Sequence, residues 1–172
     1  KKEVLDKINC YDPLLFNYTD DLDFSWRIWI AGFMVVLSYK SIVYHYTKSV
    51  QRRANIGANN FDVYYHLAKN SFRSIAKNYE ILNVIKYLPI SLFVNLSRAI
   101  LVLLRRRDTS ALLATLSAIW WSIKTLPDLI QSRAKTQKTR KFSDKFIMNK
   151  VFVKGSLINI YNRNYRSSKL LW

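Results

Sequence analysis

Hydrophobic residues recur at helical spacing along most of the chain. Residues 1–9 place three apolar side chains on one side, and Asp12-Pro13 then breaks the pattern. From Leu22 onward, apolar residues recur at i, i+4, i+7 and i+11 (Leu22, Trp26, Trp29, Phe33). This spacing predicts an amphipathic helix with Asp20 as its N-cap and Gly32 at its end. Within it, Asp23 and Arg27 form an i,i+4 pair in the favourable order.

The periodicity changes after this helix. Met34–Leu37 and Ser41–His45 are short, apolar and rich in β-branched or aromatic residues, which predicts two strands. Residues 47–60 are polar and have no period, so they are predicted to form a loop.

From Phe61 the pattern is again helical, with Lys69, Arg73 and Lys77 on a face apart from the apolar stripe. Residues 81–104 are apolar enough to cross a membrane by length, but they contain Lys86, Pro89 and Arg98. A cation at the centre of a span costs about 3 kcal/mol, so a clean span is not expected. A further apolar stripe runs from residue 112 to 130, and a basic run follows at 133–141.

Charge divides the chain into two unequal parts. The net charge is +17, yet residues 1–50 contain six basic and six acidic side chains, whereas residues 51–172 contain 22 and five. The excess in the second part predicts an anionic partner, either a membrane surface or nucleic acid; ordinary solvated helices are the third alternative. The aromatic residues fall on the apolar stripes and not beside the cations. This favours an anionic membrane surface, reached by a peripheral or monotopic protein, and no nucleic acid is expected.

Cysteine and histidine are scarce, with one Cys and two His in the chain. An internal disulfide and a zinc site built from cysteines are therefore excluded.

Three aspartates, Asp20, Asp21 and Asp23, lie within four positions at the start of the predicted helix. One interpretation is helix capping, since acidic residues in a first turn favour the helix dipole. A second is a D-x-D metal–nucleotide motif, but residues 16–19 are a poor strand and a helix follows. A third is a catalytic carboxylate at a helix N-terminus, ready to accept a proton from a hydroxyl group.

The order of motifs in residues 2–80 resembles family 2 glycosyltransferases, nearest to rhamnosyltransferase-like members. In that family a G-F/Y-D loop, here Cys10-Tyr11-Asp12, precedes an E-D-x-D-x-x-W-R helix, here D-D-L-D-F-S-W-R at residues 20–27. An A-G pair and a strand ending in V-Y-H follow at residues 31–32 and 43–45. A Y-Y-x-x-R-N helix resembles residues 64–70. Asp20 stands where the family usually has Glu.

The resemblance implies an α/β fold. Residues 1–60 would be the acceptor-side, C-terminal part of a GT-A (nucleotide-diphospho-sugar transferase) domain. Residues 61–141 would be helices that lie against a membrane, and residues 142–172 a basic tail. It also implies a protein at the cytoplasmic face of the membrane.

The resemblance further implies an inverting sugar transfer from a nucleotide-sugar donor to a glycan or polyprenyl-linked acceptor, with Mg²⁺ or Mn²⁺ in the intact enzyme. Asp21 would be the general base, Asp20 its neighbour and Asp23 a support for the helix and the acceptor site. Trp26 would be core or a wall of the acceptor site, Arg27 a structural ion pair, and His45 a metal ligand. The strands that bind the donor are not found before Lys1, so this piece is expected to be inactive alone. A non-catalytic membrane-surface or nucleic-acid-binding module is the alternative.

Overall fold

The computed structural model describes residues 1–36, 42, 44 and 60–152. Helices make up 75% of these residues, and they contain no strand. In chain order the helices are α1 (Lys2–Ile8), α2 (Asp20–Ile30), α3 (Asn60–Asn78), α4 (Ile81–Arg106), α5 (Ser110–Lys124), α6 (Leu126–Lys138) and α7 (Asp144–Val151).

The predicted α/β fold of the GT-A type is therefore wrong for the described part of the chain. Met34, Val35 and Val36 of the first predicted strand are exposed and have no regular secondary structure. A β-branched run becomes a strand only when a neighbouring strand pairs with its backbone. Residues 1–36 and 60–152 offer no such neighbour, so β propensity alone is not enough here. The second predicted strand lies outside the described residues except for Ile42 and Tyr44.

Helix α2 begins one residue earlier than predicted. Asp20 is its first helical residue, and Thr19 is the N-cap, without a hydrogen bond from its side chain. The helix ends close to the predicted residue, since Gly32 follows in the left-handed region at φ 88°. A Cβ there would lie 2.6 Å from Cδ of Lys141, so glycine meets both a backbone and a space requirement.

Helix α3 is the centre of the fold and packs against α2, α4, α5 and α6. Two small apolar clusters form around it: Trp26, Ile30 and Ile147 in one, and Ala68, Phe72 and Ala118 in the other. Its C-terminal carbonyl groups accept hydrogen bonds from side chains of the predicted basic run. Arg133 donates to the carbonyls of Ala76 and Tyr79, and Gln137 to those of Lys77 and Asn78. Part of this run therefore caps α3.

Helix α5 packs with its small residues inward. Ala111, Ala114 and Ala118 are fully buried, whereas Leu113 and Leu116 are about half exposed and Trp120 is 68% exposed. The predicted stripe of large residues on α5 is thus mostly its outer face, because alanine lets α5 approach α3 closely.

Candidate functional site

The three clustered aspartates occupy different environments at the N-terminus of α2. Asp21 is exposed, and its Oδ1 accepts a hydrogen bond from the amide of Leu22 at 2.9 Å. Asp20 is half-buried and lines an open cavity with Tyr11, Asp12 and Phe16. Asp23 is only 1% exposed. Asp21 is therefore the member of the cluster that a ligand in solution can reach most easily.

Asp23 joins α2 to α3. Its Oδ2 accepts from Nε of Arg27 at 2.8 Å, and its Oδ1 lies 2.7 Å from Nδ2 of Asn78 and 2.8 Å from Nζ of Lys77. The Asp23–Arg27 pair predicted from sequence is present, but it is buried and not exposed. A buried carboxylate with three donors holds the two helices together, because removing any donor leaves charge without compensation.

Trp26 and Arg27 also lie inside the protein. Trp26 stacks on Tyr79 with ring centroids 4.9 Å apart. Nη1 of Arg27 donates to the carbonyl of Ile8 at 2.6 Å, which fixes α1 against α2. These two residues are part of the packing inside the fold, on the same helix as exposed Asp21.

The loop before α2 has an unusual backbone. Phe16, Tyr18 and Thr19 all have φ near 60°. Each non-glycine residue in this region costs about 1 kcal/mol and persists only where the surroundings hold it. Such strain concentrates at functional sites.

Two buried side chains of α3 hold this loop. Nζ of Lys69 donates to the carbonyl of Leu14, and Nδ2 of Asn70 lies 3.1, 2.7 and 2.6 Å from the carbonyl oxygens of Leu15, Asn17 and Tyr18. Lys69 and Asn70 fall in the segment that resembles the family's Y-Y-x-x-R-N helix. Their contact with the loop was not foreseen from the sequence, because Lys and Asn side chains are mostly exposed in proteins.

Two exposed aromatic rings, those of Tyr11 and Phe16, line a cavity with Asp20. Tyr11 stacks on Phe24 with centroids 4.3 Å apart, and Phe16 and Tyr18 both lie against His66. Burial, and the nearby charge of Lys69, lower the pKa of His66 below its ordinary value. Phe16 is 81% exposed. Flat apolar faces beside carboxylates suit a sugar ring, whose C–H faces pack on aromatic rings while its hydroxyl groups donate to carboxylates.

Asp12 belongs to a buried ionic network that also includes Asp23. Its Oδ2 lies 2.8 Å from Nε of Arg73 and 2.6 Å from Nζ of Lys77, and Arg73 also pairs with Asp128 at 2.6 Å. Burial opposes ionisation, but the hydrogen bond from Arg73 and the charge of Lys77 outweigh it and lower the pKa of Asp12 to about 2. With Asp23, the network runs continuously from Arg27 through Lys77 to Arg73. The sequence placed the cations on one helix face but did not show that they are buried.

The described residues do not test the predicted metal. Within them, no group of three or more His, Cys, Asp or Glu side chains could hold a metal ion. The predicted ligand His45 lies outside the described residues, so its role and the requirement for Mg²⁺ or Mn²⁺ stay predictions.

No protein-family model, curated protein or solved structure matches the chain significantly. The resemblance to family 2 glycosyltransferases therefore stays a prediction carried by the motifs themselves.

Proposed function

We propose that the protein is the acceptor-side part of an inverting glycosyltransferase that works at a membrane surface, with Asp21 as general base. The observation that carries the proposal is the separation of the aspartates. Asp23 is buried in ion pairs, whereas Asp21 is exposed at the start of α2. Its neighbour Asp20 lines a cavity with the rings of Tyr11 and Phe16. The ordered motifs of residues 2–80 supply the reaction class.

Sugar transfer of this kind needs one group of the protein that takes up the proton of the acceptor substrate's hydroxyl group. The acceptor hydroxyl donates its proton to the Asp21 carboxylate, and its oxygen attacks the anomeric carbon of the donor sugar. The bond from that carbon to the donor diphosphate breaks, the nucleoside diphosphate leaves with the bonding electrons, and the configuration inverts. Asp21 then releases the proton to water. Phe16 and Tyr18 provide apolar faces on which the acceptor sugar stacks, and Asp20 accepts from a further hydroxyl.

Replacing Asp21 by Asn tests the assignment. The carboxamide keeps the shape but cannot accept the proton, so turnover should fall at least about a hundredfold. Sugar transfer is measured in membranes that contain the intact protein, with a panel of nucleotide sugars. Asp62→Asn is the matched control, because Asp62 is exposed in the first turn of α3. Near-normal turnover in Asp21→Asn, or an equal loss in Asp62→Asn, would remove Asp21 from this role.

The membrane part of the proposal is supported by α4 and α5. By length and composition α4 could cross a membrane, and only 11% of its most apolar 18-residue stretch is buried in the fold. Arg105 and Arg106 end α4, and both are exposed. Apolar area next to arginines suits a bilayer that carries anionic lipid.

Liposome binding tests this part separately. The protein should pellet with anionic liposomes and stay bound at 0.5 M salt, because apolar insertion is not screened by ions. Binding that disappears in salt, or equal binding to RNA, would contradict it.

A further inference from the structure

An open apolar cavity lies where α5 ends and α6 begins, against α3 and α4. Its volume is about 240 Å³, and side chains of all four helices line it: Phe72, Leu88, Leu92, Ile119, Ile123 and Leu126. Phe72 is 6% exposed, whereas Ile123 is 59% and Leu126 is 48% exposed. The cavity therefore reaches from the apolar cluster beside α3 to the outer surface of the fold.

The polar side chains in the lining are already engaged within the protein. Ser122 and Thr125 donate their hydroxyl hydrogens to backbone carbonyl groups of α5, over 2.8 and 2.9 Å. Arg73 pairs with Asp12 through Nε and with Asp128 through Nη2, over 2.8 and 2.6 Å, and its Nη1 is closed to solvent. A ligand in this cavity therefore meets almost only apolar surface.

A hydrocarbon chain fits this lining better than water does. A stable buried water needs about two to four polar partners, and an apolar cavity without them stays dry or takes up apolar molecules. Moving apolar ligand surface out of water gains free energy in proportion to the area buried. Because the mouth is open beside Ile123 and Leu126, the cavity can hold part of a chain while the remainder stays outside.

The surroundings of the mouth indicate lipid as the source of this chain. Trp120 lies about one turn before Ile123 on the same face of α5 and is 68% exposed. Lys124 is exposed and forms no salt bridge within the part of the chain that the structure describes. The acidic residue nearest to it in sequence, Asp128, pairs with Arg73 instead. An exposed tryptophan and a lysine beside apolar surface are typical of the headgroup level of a bilayer, where the cation meets anionic lipid.

We infer that this cavity binds one acyl chain of an anionic phospholipid, with the headgroup beside Lys124. The inference rests on the membrane part of the proposed function and deepens it, because it assigns one lipid molecule to a defined place between α3, α4, α5 and α6. The lipid is a bound partner of the fold and not the substrate of sugar transfer. Asp21 and the acidic cluster take no part in its binding.

Native mass spectrometry of the intact protein tests the site without an activity assay. On release from neutral detergent with added phosphatidylglycerol, the protein should carry one saturable lipid adduct. Ala76→Leu places a larger side chain on the wall of the cavity. It should weaken this binding at least about threefold, because a filled cavity no longer accepts the chain. Ala134→Leu, the same change on the exposed face of α6, is the matched control.

Lys124→Gln tests the headgroup contact. Binding of phosphatidylglycerol should weaken about fivefold, which is the contribution of one lysine near anionic lipid, while binding of zwitterionic phosphatidylcholine should not change. Lys138→Gln removes an exposed lysine of α6 that does not line the cavity, and it should leave both lipids unaffected. Equal losses in Lys124→Gln and Lys138→Gln would mean that the basic surface as a whole attracts the lipid, and would overturn the site.

Fluorescence in lipid nanodiscs gives a second measurement, which keeps the test decisive if Ala76→Leu does not fold. Bromine atoms on an acyl chain quench indole fluorescence on contact, and Trp121 lines the cavity. In Trp120→Phe, Trp121 is the one tryptophan left on α5. Brominated phospholipid should quench this variant more strongly than the double variant that also carries Trp121→Phe. Equal quenching of the two variants would overturn the site.

The outcomes separate this inference from the proposed function. No phosphatidylglycerol adduct at saturating lipid, or an equal loss in Ala134→Leu, would overturn the site even in a protein that still pellets with liposomes. Failure to pellet would instead contradict the membrane part of the proposed function, and the inference with it. Equal affinity for a free fatty acid of the same chain length would overturn the phospholipid assignment, because the cavity would then hold a soluble ligand.

Discussion

Helix α3 and helix α5 pack against each other, yet they bury opposite kinds of side chain. Besides Ala68 and Phe72, the interior face of α3 carries Lys69, Arg73 and Lys77, all less than 5% exposed. Helix α5 instead buries alanines and turns Leu113 and Leu116 outward. In a water-soluble bundle the apolar residues would be inside and the cations outside. On the proposal of a membrane surface, the outer face of α5 meets lipid while the buried ion pairs of α3 stabilise the fold. The following changes test each half of that contrast.

The largest effect is expected at the centre of the ionic network. Lys77→Met leaves Asp12 and Asp23 buried with fewer cations, so the free energy of unfolding should fall by about 3–5 kcal/mol. Chemical denaturation in a fixed detergent measures it. Lys138→Met, an exposed lysine on α6, should change the same quantity by less than about 0.5 kcal/mol. A loss below about 1 kcal/mol in Lys77→Met would mean that the network does not stabilise the fold.

A smaller effect is expected where α5 approaches α3. Ala114 is fully buried, so Ala114→Leu should overpack the contact and lower the free energy of unfolding by about 1–3 kcal/mol. The neighbouring change Leu113→Ala alters an exposed position and should be near neutral. If Leu113→Ala proved the more harmful in detergent, the assignment of inner and outer faces would be reversed.

Acid should weaken the ionic network at Asp12. Its folded pKa, about 2, lies below the ordinary value of 3.8. A carboxyl group with a lowered folded pKa contributes stability that is present above the unfolded pKa and is lost as pH falls toward the folded one. Between about pH 4 and pH 2 the protein should therefore lose roughly 1–2 kcal/mol from this group, allowing for partial solvent screening. Asp12→Asn should flatten that part of the pH profile, and an unchanged slope would exclude Asp12 as its source.

Changes on the outer face of α5 should have the smallest effect on folding. They should nevertheless reduce membrane binding clearly. Leu113→Ser with Leu116→Ser should change the free energy of unfolding by less than about 1 kcal/mol in detergent. Liposome partitioning should fall about thirtyfold, because two half-exposed leucines lose roughly 1 kcal/mol of apolar transfer each. Partitioning equal to that of the unchanged protein would mean that α5 does not enter the lipid.

The sequence predicted α2 well and the strand at Met34–Leu37 badly, for a physical reason. Helical periodicity is local, so α2 was found within one residue of its start, and Gly32 near its end. Strand formation depends on a partner elsewhere, which a run such as Met34–Leu37 cannot reveal. The sequence also placed the three aspartates at a helix start, but only packing against α3 distinguishes exposed Asp21 from buried Asp23. The loop contacts of Asn70 were beyond reach because they join residues more than 50 positions apart.

Asn70 has a consequence for anyone who wishes to move this acidic cluster into another protein. The left-handed residues ahead of Asp20 are held by Asn70, together with Lys69, on a different helix. A synthetic peptide of residues 10–30 would relax to ordinary backbone angles and lose the exit direction of α2. Transplantation has to carry residues 65–78 as well, so the smallest portable unit of the site is a pair of segments and not a single motif.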